Sequence, residues 1–197
     1  MRIPTSLRRL RDDARGATII EFAVAAPVLI LLLMGIFDMA YNAYIVSVLR
    51  GAVQEASRRN SLEIANTAQS DAYVEKMVKT VAPAAAVTFK RVSYYDFADI
   101  KRAELWNDKN GNGRCDNAEI YTDENRNNRW DADVGTNDNG GANDVVLYTA
   151  TVKYKPVFVV PFMPNAGALR TQSATAVQKN QPFALQEKYG SSSGTCS

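Results

Sequence analysis

The run ATIIEFAVAAPVLILLLMGIF, residues 17–37, decides how this chain has to be read. Apart from Thr18 and Glu21 it is apolar throughout. Its 21 residues would make about 31 Å of helix, enough to cross the hydrocarbon core of a bilayer. In front of it, residues 1–16 hold five Arg and two Asp; behind it stands Asp38. Basic residues on the leading side predict an N-terminus kept in the cytoplasm and a remainder carried outside. Pro27 removes one backbone hydrogen bond and bends the helix, which membrane helices tolerate. A cleaved secretory signal fits poorly: the run is longer than a usual h-region and no small-x-small site follows Phe37. Glu21 would cost up to about 3 kcal/mol if it were central and unpaired in lipid, so it calls for a partner.

The composition narrows the chemistry. The chain has 197 residues, 23 Lys+Arg, 21 Asp+Glu, two Cys and no His. That length suits one domain of modest core with an anchor. Without His there is no Ser–His nucleophile, His acid–base pair or His-ligated metal. Two Cys exclude a four-Cys zinc site. Outside the Arg-rich leader the formal charge is −1, which gives no case for nucleic acid.

Gly16-Ala17-Thr18, Glu21-Phe22-Ala23 and Ala26-Pro27-Val28, behind a basic leader, together resemble the TadE-like family, pseudopilins of the tight-adherence (Flp) pilus system. The resemblance is tight over residues 15 to about 40. It implies that a prepilin peptidase cuts between Gly16 and Ala17 and leaves the helix attached. Glu21 then stands fifth in the mature chain, where its charge can pair with the new α-amino group of a neighbouring subunit, with Phe22 beside it in assembly. The implied partners are other pseudopilins or pilins, the pilus assembly platform, the peptidase and the lipid bilayer. The implied location is the bacterial inner membrane, single-pass, with the C-terminal domain periplasmic or, in a pilus, at the surface.

Beyond Phe37 the pattern turns amphipathic. Tyr41, Tyr44, Ile45, Val48, Leu49, Ala52, Val53 and Ala56 recur at three- and four-residue steps, predicting one continuous helix from Ala17 to about Arg59. Val74, Met77, Val78 and Val81 predict a second helix over 70–81, stopped by Pro83. Strands are expected over 86–95, 145–154 and 169–178, with a fourth over 102–106. The expected fold class is α+β: a long N-terminal transmembrane helix continuing into a pilin-like domain with a short second helix and a small antiparallel sheet. The segments are a leader (1–16), a membrane helix (17–37), a periplasmic helix with the second helix and first strands (38–106), an acidic insertion (107–144), antiparallel strands (145–180) and a flexible tail (181–197). The apolar, Pro-punctuated run 156–164 reads either as a loop over the sheet or as a contact for a partner or lipid headgroups. Cys115 and Cys196 either stay as thiols or pair; outside the cytoplasm pairing is favoured, and closing about 80 residues would contribute roughly 4 kcal/mol.

The insertion carries the second motif. Residues 107–144 hold ten Asn, nine Asp+Glu and five Gly, with a repeat of period 15. Asp108, Asn110 and Asn112 recur as Asp123, Asn125 and Asn127; Cys115-Asp116 recurs as Trp130-Asp131. The first copy fits the twelve-residue EF-hand loop pattern: Asp108, Asn110 and Asn112 at one, three and five, and Gly113 at the sharp turn. The Arg114 carbonyl falls at seven, Asp116 at nine and Glu119 at twelve. In the second copy Asn128 replaces Gly, Arg129 stands at seven and Asp131 at nine, but Val134 occupies twelve, leaving Asp133 as a substitute. Only three residues separate Glu119 from Asp123, so no helix fits between the loops. They resemble dockerin-like and thrombospondin-type-3-like segments. Hard oxygen donors suit Ca²⁺, one or two ions in a structural role, since so polar a stretch cannot order itself by burial.

The expected function is therefore structural, with no reaction catalysed: a pseudopilin-like protein for tight-adherence pilus assembly. The alternative is a membrane-anchored extracytoplasmic calcium-binding adhesion module. A carboxylate-pair hydrolase is disfavoured because the acids stand in metal-type spacing and no nucleophile–base constellation is present.

Overall fold

The computed structural model describes residues 17–62, 66–116, 118–159, 167–182 and 192–196. The leader with Gly16, residues 160–166 of the apolar loop and residues 183–191 of the tail lie outside the described residues. The architecture is α+β. Helix α1 spans Ala17–Asn60 and α2 spans Thr67–Val81; the strands are β1 (Ala86–Tyr94), β2 (Ile120–Asp123), β3 (Val145–Tyr154), β4 (Arg170–Lys179) and β5 (Ser192–Thr195). The chain divides into two compact units, Met1–Tyr44 with Lys155–Leu169, and Ile45–Tyr154 with Arg170–Ser197.

The first unit contains the apolar half of α1. Most of its large apolar side chains are exposed: Ile19 is 72% exposed, Phe22 70% and Val24 71%. Pro27 lies inside the continuous helix. The ring of Phe158 meets that of Phe37, centroids 6.1 Å apart.

The second unit holds the core. Of the amphipathic stripe on α1, Ile45, Leu49, Ala52, Val53 and Ala56 are buried, whereas Tyr44 is exposed. Helix α2 starts where the Asn66 side chain accepts from the Gln69 amide at 3.0 Å, and stops at Ala82 before Pro83. Val74 and Val78 point inward and Met77 does not. Strands β1, β3 and β4 form an antiparallel sheet in that order, with β3 central. Strict alternation on β3 places Val146, Tyr148, Ala150, Val152 and Tyr154 in the core. Polar ties join the elements. Ser57 Oγ on α1 donates to Gln178 on β4 at 2.6 Å. Asp71 on α2 accepts from Arg91 on β1 at 3.0 Å and from the Tyr148 hydroxyl at 2.6 Å. Burial and the Asp71 carboxylate push the Tyr148 phenol well above its ordinary range.

Two sequence expectations need revision. Residues 102–106 form no strand of the sheet; only Trp106 pairs, as a single bridge to Tyr121. Where a flexible tail was expected, Ser192–Thr195 forms β5 against β2, and Cys196 is disulfide-bonded to Cys115 with Cα atoms 5.5 Å apart. Gly194 lies opposite Tyr121, so close that a Cβ would collide with the phenol ring. A small, apparently structureless sequence is thus the one that fits.

Candidate functional site

Two regions carry chemistry. On α1, Glu21 and Phe22 stand exposed in the first turns of a helix with almost no other polar side chain before Asp38. Ala17 is the first helical residue described. The helix is long and apolar enough to cross a membrane, and its most apolar window is not buried within the protein at all.

The acidic region is built from two copies of one unit. In the first, Asp108 Oδ1 accepts from the amides of Gly111 (2.7 Å) and Asn112 (3.1 Å), and Oδ2 from Gly113 (2.8 Å). Asn110 and Asn112 turn their carbonyl oxygens to the amides of Asn112 and Arg114, and their NH₂ groups to Asp116, both at 3.0 Å. In the second, Asp123 accepts from Asn127 (3.1 Å) and Asn128 (2.9 Å), and the NH₂ groups of Asn125 and Asn127 donate to Asp131. Backbone conformation repeats as well. Gly111 and Gly113 have φ of +71° and +73°, and Arg126 and Asn128, fifteen residues on, both have +62°. The left-handed turn that glycine makes freely is here made by Arg and Asn.

The closing acid of the second copy was missed. Glu119 Oε1 accepts from the amides of Lys109 (2.8 Å) and Asn110 (3.4 Å), and its Oε2 from Asp116 (3.4 Å). In the second copy the same three bonds go to Glu104: Oε1 from Glu124 (2.8 Å) and Asn125 (3.4 Å), Oε2 from Asp131 (3.1 Å). Glu119 is 1% exposed and Glu104 0%. Each loop is therefore closed by the acid that opens the other repeat. Asp133, offered for position twelve, instead accepts from the Tyr94 hydroxyl at 3.1 Å, and Val134 joins the core with Val92, Tyr94 and Val145. Burial and Asp133 push the Tyr94 phenol up to about 12. The signal for Glu104 was present: it lies one period before Glu119, and Leu105-Trp106 recurs as Ile120-Tyr121.

The stems cross as a short antiparallel pair. Asn107 donates to the Ile120 carbonyl (2.9 Å) and Thr122 to Leu105 (2.8 Å) around the Trp106–Tyr121 bridge. Trp130 packs edge-on to Trp106, centroids 5.2 Å apart, and its indole donates to the Glu104 carbonyl at 3.0 Å. Burial drives the Glu104 carboxyl above the usual carboxylate range, against the pull of its three amides. Glu124 faces away, to Arg102 at 2.6 Å, whose guanidinium holds it below that range. The Arg129 side chain reaches Asp131 at 3.1 Å.

Counting Glu104, each copy offers the oxygens of two Asp, one Glu and two Asn, a hard donor set that fits Ca²⁺. Among the described residues no group of three or more Asp, Glu, Cys or His is gathered closely enough to hold an ion alone. Asn and carbonyl oxygens, including those of Arg114 and Arg129, would have to complete any site.

No curated protein and no solved structure matches the chain. The family model described as TadE-like protein matches residues 16–58, a span that takes in Gly16, Ala17, Glu21 and Phe22 and stops before α2 and the repeats. The long N-terminal helix is thus similar to those of TadE-like proteins, which points to a membrane-anchored protein related to the pilus.

Proposed function

We propose that this chain is a TadE-like pseudopilin for assembly of a tight-adherence pilus, cut by a prepilin peptidase after Gly16 and held in the bacterial inner membrane by α1. The observation that carries this reading is the family match falling on a helix whose most apolar window is unburied among the described residues. A carboxylate in such a surface is stabilised by an opposite charge, and an exposed α-amino group at Ala17 of a neighbouring pseudopilin or pilin supplies one. The helix thereby stays in the bilayer and sets the register of one subunit against the next. The domain beyond Asp38 is carried in the periplasm, and no chemical step is assigned to it. Replacing Glu21→Ala tests this in cells: pili should be lost while the protein still fractionates with the membrane. Normal pili would overturn it.

For the acidic region we propose one or two structural Ca²⁺ ions, the first held by Asp108, Asn110, Asn112, Asp116 and Glu119. The second would use Asp123, Asn125, Asn127 and Asp131, with Glu104 in place of Asp133. The ion supplies the positive charge that a stretch with nine carboxylates and little apolar content lacks. The paired loops also support a second reading, a membrane-anchored calcium-dependent adhesion module. Ca²⁺-dependent attachment to a surface by a chain that keeps residues 1–16 would favour that reading over the first.

A further inference from the structure

We propose that residues 157–159, just after β3, lie in the lipid interface beside α1, as a second and shallow membrane contact. The proposal rests on α1 crossing the bilayer. Phe37 is 20 residues on from Ala17 along the helix, about 30 Å, which places it at the far edge of the hydrocarbon core. Phe158 meets Phe37 there, ring centroids 6.1 Å apart. The contact fixes the depth of this segment at the interface, where aromatic rings collect. On either side of Phe158 the side chains are apolar and bare: Val157 is 58% exposed and Val159 54%. On the helix, Ile36 and Phe37 are exposed too, so apolar side chains of both elements face outward around the Phe37–Phe158 contact. Lys155, exposed immediately before it, suits anionic headgroups.

Lipid is the occupant chosen because the Phe37–Phe158 contact joins these side chains to the helix that a bilayer would already cover. A soluble domain would not leave such a patch bare without an interaction to cover it.

The test uses the full chain reconstituted in vesicles of phosphatidylethanolamine and phosphatidylglycerol, with the photo-reactive residue p-benzoylphenylalanine placed singly. Three positions are compared: Val28 on the membrane helix, Val157, and Lys79 on α2. Irradiation should give lipid adducts at Val28 and at Val157, each several-fold above Lys79. Adducts at Val28 with none at Val157 would overturn the proposal and leave the anchor standing. Cross-links from Val157 to a second copy of the chain would overturn it in favour of a subunit contact. No lipid adduct at Val28 would remove the anchor and this inference with it.

Discussion

Glu21 and Glu104 are both carboxylates in need of an answering group, and they are answered in opposite ways. Glu104 is fully buried and takes three backbone amides from its own chain. Glu21 stands exposed on an apolar helix whose most apolar window is unburied among the described residues. A charge satisfied internally reports on folding; one left on the outside of an oily helix, in our reading, reports on assembly. The same contrast separates the two regions energetically. The α1 surface is ordered by backbone hydrogen bonds and needs an apolar solvent, whereas the acidic repeats have little to bury and depend on hydrogen bonds, a disulfide and, in our reading, a cation.

The largest effect should come from the ion. With an ion in each loop and Ca²⁺ at 100 times its dissociation constant, opening of residues 107–144 is suppressed on the order of 10,000-fold, about 5.4 kcal/mol, so a chelator should speed limited proteolysis there by a similar factor. Identical fragments with and without chelator would break the comparison, leaving the repeats ordered by protein contacts alone. Next, Cys115→Ser with Cys196→Ser should lower stability by roughly 4 kcal/mol, read by chemical denaturation, and free β5 from β2. Glu104→Ala strands three amides and should cost about 3 kcal/mol together with Ca²⁺ at the second loop only. Asp133→Ala should cost about 1 kcal/mol, through the lost Tyr94 bond, and leave calorimetric Ca²⁺ binding intact. Equal loss of binding in both variants would contradict the exchange of closing acids. The smallest effect is expected at Asn128→Gly, a gain of up to about 1 kcal/mol as the left-handed turn is relieved, again read by denaturation.

Much of this was legible in the residues, where a physical pattern was strong. The apolar run, the three- and four-residue stripe and the stop before Pro83 predict both helices to within a few residues of Ala17–Asn60 and Thr67–Val81. The alternation Val146, Tyr148, Ala150, Val152, Tyr154 gives β3 and its inward face, since one side of a central strand must be apolar. What escaped was structure held by something other than apolar pattern. Strand β5 reads Ser-Ser-Gly-Thr and is fixed by its disulfide, by backbone pairing and by the close fit of Gly194 to Tyr121. Glu104 lies outside the twelve-residue loop pattern, which runs forward from Asp123 and ends on Val134. Stepping back by the period from Glu119 would have found it. Residues 102–106 looked like a strand because Leu105 and Trp106 are apolar, yet they serve as the stem of the first repeat and as the source of the acid for the second.

The central claim is that this helix begins a mature chain at Ala17, so that Glu21 stands fifth. Intact-mass and N-terminal peptide analysis of the membrane-bound protein, from cells with and without the prepilin peptidase, tests it most directly. The account predicts a mature chain starting at Ala17 only where the peptidase is present. A chain still carrying residues 1–16 in both strains would contradict it.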